Sequence, residues 1–142
     1  MKIKLIDKVI SRLAEREASY SHEIKGEEAI TLGRGREVCF AFPSIIYLDN
    51  LTTDSEEYKI LLPMSKTVSR KHCTIIYDGS NFKIVDGVDG KKSRDGVSVN
   101  GKPVLDKEGA QLNSGDKITL GKKYSLTFIV MGDEPEKMKV VD

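Results

Sequence analysis

Three short segments of the chain concentrate groups able to hold an anion. They are Leu32-Gly33-Arg34-Gly35-Arg36, Thr67-Val68-Ser69-Arg70-Lys71-His72 and Lys91-Lys92-Ser93-Arg94-Asp95-Gly96. Between them they hold four arginines, three lysines and several hydroxyls. A guanidinium offers a fixed fork of donors that matches a planar or tetrahedral oxyanion, and hydroxyls and loop amides add neutral donors. The chemistry open to such a set is recognition of a charged group, provided the three segments meet.

Bond-making chemistry finds little to work with. His22 lies in a polar stretch without a companion ligand, and His72 adjoins Cys73. Neighbouring strand residues point to opposite faces, so those two cannot form a Cys-His dyad. Ser69 and His72 lack the Gly-x-Ser-x-Gly elbow of a hydrolase. Gly33-Arg34-Gly35-Arg36 has neither the Gly-Lys-Ser/Thr ending of a P-loop nor the third glycine of a dinucleotide loop. Cys39 and Cys73 are too few for a disulfide framework or a four-ligand zinc site. Each sits in an apolar run, where a buried thiol is expected. The reading is of a protein that is not an enzyme and has no metal and no cofactor.

The elements that must position these loops follow from patterning. The 142 residues suit one domain, and 23 Lys+Arg against 22 Asp+Glu give a formal net charge of +1. Nucleic-acid and membrane-surface binders need a one-signed basic field, which this balance excludes. The acidic residues gather in 49–57 and in the C-terminal tail, so the neutral total hides an asymmetry. No apolar run approaches the ~20 residues of a membrane helix, and the N-terminus lacks the apolar core of a signal peptide. The expected compartment is cytoplasmic.

Ile3, Ile6, Ile10 and Leu13 recur at three- and four-residue steps, which predicts an amphipathic helix over 2–18 that packs on the body or pairs weakly with a second copy. Residues 19–28 read as a polar linker. From Ala29 the pattern becomes short β runs, expected at 29–32, 38–42, 45–48, 58–62, 73–77, 82–85, 96–99, 117–120 and 124–131. Turn residues such as Asp78-Gly79, Asp86-Gly87 and Asn100-Gly101 separate them. Many short strands with no helix between them indicate a β-sandwich or barrel, and a sandwich collects its loops at its two ends. Residues 132–142 read as a polar tail.

Taken in order, Gly33-Arg34, Val68-Ser69-Arg70-Lys71-His72, Ser93-Arg94-Asp95-Gly96-Val97-Ser98-Val99-Asn100-Gly101 and Leu112-Asn113-Ser114-Gly115-Asp116-Lys117-Ile118-Thr119-Leu120-Gly121 resemble a forkhead-associated (FHA) domain. The resemblance covers about residues 27–131. It implies an all-β sandwich of about eleven mostly antiparallel strands, here with the N-terminal helix and linker (1–26) ahead of it and the tail (132–142) behind. It also implies a non-catalytic module of Ser/Thr-kinase signalling whose partner is a phosphothreonine-containing protein. Arg34, Ser69, Arg70 and Lys71 would meet the phosphate, and Arg94 and Asp95 the peptide. Gly33, His72, Gly96, Asn100 and Gly101 would be structural in the binding loops, His72 bracing them from within.

Two departures qualify that picture. Asp95 stands where the family usually has an Asn, which removes an amide donor and adds a negative charge that Arg94 could neutralise. The interval from Arg34 to Ser69 is also longer than usual, which points to an insertion at about 39–57. That insertion would pack on the sandwich, or its acidic end would face basic residues beside the phosphosite. The alternatives are a scaffold of the same fold that binds protein without phosphate, and a regulatory fragment of a larger signalling enzyme.

Overall fold

The computed structural model describes residues 1–132. The expected polar tail, apart from Gly132, lies outside them. Two mostly antiparallel sheets face each other. The six-stranded sheet runs in the order β2 (Ser19–Glu23), β1 (Lys2–Asp7), β11 (Tyr124–Met131), β10 (Lys117–Leu120), β7 (Val97–Val99), β8 (Lys102–Pro103). The five-stranded sheet runs β4 (Phe40–Ala41), β3 (Glu28–Gly33), β5 (Cys73–Tyr77), β6 (Phe82–Asp86), β9 (Ala110–Leu112). Only the β3–β4 pair is parallel. This is the mostly β, eleven-stranded sandwich that the resemblance implied.

The core is the alternation of the strands made solid. Ile3 and Leu5 of β1, Ile75 of β5, Ile84 of β6, and Leu126 and Phe128 of β11 are all buried between the sheets. Phe82 meets Phe128 edge-to-face, with ring centroids 5.1 Å apart, and so ties one sheet to the other. Full burial of such side chains stabilises the fold by roughly 1.5–3 kcal/mol each. Cys73 belongs to this core, and burial pushes its thiol far above the ordinary range. Cys39 does not: it is exposed, a correction to the buried thiol expected there.

The N-terminal segment departs most from expectation. Residues 2–18 are not one helix. They form β1, a seven-residue helix α1 (Lys8–Ala14) and a connection into β2. Burial along β1 alternates, with Ile3, Leu5 and Asp7 inward, and β1 pairs antiparallel with β11 from Lys2↔Met131 to Asp7↔Leu126. Residues 1–26 are therefore built into the sandwich rather than hung before it. Ile3 and Ile10, expected on a stripe able to pair two copies, are buried inside.

Asp7 makes the corner. Its carboxylate accepts the Ile10 N–H at 2.8 Å as the N-cap of α1, and accepts the Tyr124 hydroxyl at 2.6 Å. Burial raises the Asp7 carboxyl above its usual range and the Tyr124 phenol far above its own.

The long interval between Arg34 and Ser69 is helical. The runs expected as strands at 45–48 and 58–62 are α2 (Ile45–Asp49) and α3 (Glu56–Ser65). Ser44 and Ser55 cap them through their hydroxyls, and Glu56 and Glu57 favour the α3 N-terminus. Of the run expected at 38–42, only Phe40–Ala41 is strand. Within 39–57, Phe42 is fully buried and Tyr47, Leu48 and Leu51 lie half-buried against the core, so this stretch packs on the sandwich, as does α3 through Leu61. Among the described residues, no helix is long and apolar enough to cross a membrane.

Candidate functional site

The three basic segments meet at one end of the sandwich. Gly33 ends β3, and the next two residues run along the loop before β5. The Arg34 N–H donates to Ser69 O at 2.9 Å and the Gly35 N–H to Arg70 O at 3.0 Å. This contact needs a glycine at 33, because a Cβ there would stand 2.1 Å from Arg70 O. The third segment docks on the same loop. The Arg94 N–H donates to Ser69 Oγ at 3.0 Å. Asp86, at the end of β6, shapes it by accepting from both the amide and the hydroxyl of Ser93, whose Oγ in turn accepts the Gly96 N–H.

His72 is the brace beneath these loops. Its ring is fully buried and bonded at both nitrogens. Nδ1 accepts the Ser69 N–H at 2.9 Å, and Nε2 lies 2.6 Å from Gly96 O. The Gly121 N–H lies 3.2 Å from Nε2 but 2.8 Å from Gly96 O. It therefore donates to the carbonyl, and Nε2 carries the proton that meets the same oxygen. These partners assign a neutral imidazole protonated at Nε2. Burial, partly opposed by the bond to Gly96, holds the ring below the usual histidine range.

A fourth loop joins, the turn that follows the last of the four motifs. The turn after β10 reaches Thr67: a Cβ on Gly121, which has φ +67°, would stand 2.2 Å from Thr67 O. Asp86 was thus missed as part of the frame, and Ser93, Thr67 and Gly121, though inside the segments and motifs read from the sequence, were not singled out for it. The Gly-Lys-Lys turn after Leu120 and the Ser in Ser93-Arg94-Asp95-Gly96 were their visible signs.

On this frame the side chains differ in what they are free to do. Arg34 is exposed. Its Nε donates to Val68 O at 2.9 Å, which aims the guanidinium and leaves both terminal nitrogens without a partner among the described residues. Ser69 Oγ accepts from Arg94 and keeps its own proton for an incoming acceptor. The Arg70 side chain is exposed and has no ion pair among the described residues. Lys71 faces Glu37 at 3.4 Å. Arg94 is engaged: its Nη2 donates to Lys66 O at 2.7 Å and its Nε to Asp95 Oδ2 at 3.2 Å. The Asp95 charge is thereby paired, and Arg94 serves as a strut between two loops.

Other expected members lie elsewhere. Asn100 and Gly101 follow β7 at the end opposite Gly96. There Asn100, at φ 50°, accepts from the Lys117 N–H and donates to Asp116, closing the hairpin far from the basic loops. They are structural, but not in the loops around Ser69. Arg36 turns toward Asp49 at 4.0 Å, and Lys92 lines a groove on the five-stranded sheet.

The FHA domain family model matches residues 30–121. A comparison with curated proteins finds no match. Among solved structures, one of an FHA domain, from work on phosphothreonine-dependent FHA interactions, is 22% identical with a TM-score of 0.59, over 93% of this chain and 99% of that one. The Slr1951 protein of Synechocystis sp. is 19% identical with a TM-score of 0.59, over 93% and 100%. The N-terminal FHA domain of Rad53p from S. cerevisiae, solved with a phosphothreonine peptide, is 18% identical with a TM-score of 0.54, over the full length of both chains. At these identities the likeness is one of fold.

Proposed function

The chain belongs to the FHA domain family, and on that premise we propose that it is a non-catalytic module recognising phosphothreonine in a partner protein of Ser/Thr-kinase signalling, in the cytoplasm. The observation that carries the reading is the set of donors on a fixed frame that are unspent among the described residues: the terminal nitrogens of Arg34, the Ser69 hydroxyl proton and the Arg70 guanidinium. A phosphothreonine brings about −1.5 to −2 charges and three acceptor oxygens. Arg34 takes two of them in its fork, Ser69 donates to the third, and Arg70 adds positive field, with Lys71 beside it.

Hydrogen bonds to charged groups contribute roughly 1.5–3 kcal/mol each, so two or three of them separate phosphorylated from unphosphorylated partners. Because His72 and Asp86 hold the loops in place beforehand, little ordering cost falls on binding.

Fluorescence-polarisation titration with degenerate phosphothreonine, phosphoserine and unphosphorylated peptide libraries tests this. Binding that needs the phosphate and falls at least tenfold in Arg34→Ala supports it. Binding that is equal with and without phosphate refutes it, and favours a phosphate-independent scaffold of the same fold.

A further inference from the structure

Beside the phosphate loops lies an open cleft of about 640 Å³ that the helical insertion builds. One wall is the loop carrying Arg34, Arg36 and Glu37 together with Arg70 and Lys71. The other comes from α2 and α3 through Ile45, Leu48, Asp49 and Leu62, and from Lys66 just after α3. Its floor is thus aliphatic and its rim charged. The rim holds five cations against two carboxylates, and each carboxylate already faces a cation, Asp49 toward Arg36 at 4.0 Å and Glu37 toward Lys71 at 3.4 Å.

We propose that this cleft is a second anion subsite, which takes an acidic flank of the phosphothreonine segment, either carboxylates or a second phosphate, with an aliphatic residue against Leu48 and Leu62. The inference rests on the phosphothreonine reading above. A phosphate of about two negative charges on Arg34 and Arg70 leaves the rim with positive charge not yet met. The two existing ion pairs are long and exposed, with side-chain exposures of 79% and 67% for Arg36 and Asp49. Exposed pairs of this kind hold little free energy, so an incoming carboxylate exchanges with Asp49 or Glu37 at small cost. The cleft is continuous with the phosphate loops through Arg34 and Arg70, which places a ligand's flanking residues at its mouth. The acidic end of the insertion had suggested a preference for basic flanks. In the structure only Asp49 of that stretch lines the cleft, and Arg36 faces it.

The test compares affinities for four phosphothreonine peptides: neutral flanks, glutamate flanks, lysine flanks, and a second phosphothreonine. Glutamate flanks and a second phosphate are each expected to bind about three- to tenfold more tightly than neutral flanks at low salt, the scale of one or two exposed charge pairs. Lysine flanks bind more weakly. The gain shrinks with added salt.

In the double variant Arg36→Gln/Lys66→Gln the gain falls to about twofold or less, while the neutral-flank peptide keeps its affinity within twofold. Both side chains are exposed, and a thermal melt matching the wild type confirms the fold. A gain for glutamate alone or for phosphate alone identifies which source of negative charge the rim takes. Phosphate-dependent binding that ignores flank charge, or that favours lysine, overturns the cleft assignment alone. Binding that ignores the phosphothreonine overturns the reading beneath it, and this inference with it.

Discussion

Replacing His72 by Asn and by Gln separates the two bonds of the buried ring. The Asn amide oxygen falls near the place of Nδ1 and goes on accepting the Ser69 N–H. The Gln amide nitrogen falls near Nε2 and goes on donating to Gly96 O. Both variants lose the ring, so that cost cancels in the comparison. In His72→Gln the half-buried Ser69 N–H is left without its acceptor, at about 1–3 kcal/mol. In His72→Asn the Gly96 carbonyl still receives Gly121 at 2.8 Å, so only one bond of about 0.5–1.5 kcal/mol is lost. The Asn variant is therefore expected to be the more stable by about 1 kcal/mol, or roughly 2–4 °C in melting temperature.

Acidity gives a second reading of the same ring. Its folded value lies below the ordinary 6.5, so the unfolded chain binds the extra proton more readily. The stability that neutral His72 contributes is fully present above about pH 6.5. It is lost below that value, by up to about 1.4 kcal/mol per pH unit, until the lower folded value is reached. Urea unfolding at pH 7.5 and 5.5 reads this above the range where the low-lying carboxyls of Glu28 and Asp78 begin to protonate. Wild type should lose more stability across the interval than either variant. Equal losses in all three proteins, or a Gln variant at least as stable as the Asn one, would refute the tautomer and the bracing role together.

Gly33→Ala should cost about 2–3 kcal/mol, because its methyl would stand 2.1 Å from Arg70 O and the loops must part. A melting temperature within 1 °C of wild type rejects the close approach. Asp7→Asn should be neutral or stabilising at pH 7, since it keeps an acceptor for the Ile10 N–H and removes a charge that burial disfavours. Asp7→Ala should lose about 1–2 kcal/mol by leaving α1 uncapped and Tyr124 without its acceptor. Thermal melts of the pair check the order. Asp95→Asn should tighten phosphothreonine-peptide binding about two- to fivefold in titrations, and Arg94→Ala should weaken it by a similar factor by leaving Asp95 unpaired.

What the sequence made legible was what is local. β5 and β6 declare themselves by alternation beside Asp-Gly turns, β10 and β11 by alternation beside the Ser-Gly-Asp and Gly-Lys-Lys turns, and the four motifs fix the order of the loops. The segment 2–18 misled because Ile3, Ile6, Ile10 and Leu13 fit a helical step while Ile3 and Leu5 equally fit a strand. The choice is made by β11, more than 100 residues away, which offers β1 a ladder from Met131 to Leu126. Asp7 hid the strand further, being a charged residue on the buried face, tolerable only because Tyr124 and the α1 amide satisfy it. Tyr58-Lys59-Ile60-Leu61-Leu62 reads as a strand by composition. The cap at Ser55 and the acids at Glu56 and Glu57 are the helix signal that outweighs it.

The site itself shows why residue type is a weak guide to role in a loop. Four arginines lie in the three basic segments, yet backbone carbonyls assign them different work. Val68 O takes one nitrogen of Arg34 and turns the rest outward, whereas Lys66 O and Asp95 occupy Arg94 and make it a strut. Carbonyl positions depend on loop geometry, and that geometry depends on the glycine contacts at 33 and 121 and on one buried histidine. Which arginine is left free to meet an anion is therefore set by the frame, which Val68 O and Lys66 O impose directly and His72 braces from beneath through the Ser69 N–H and Gly96 O.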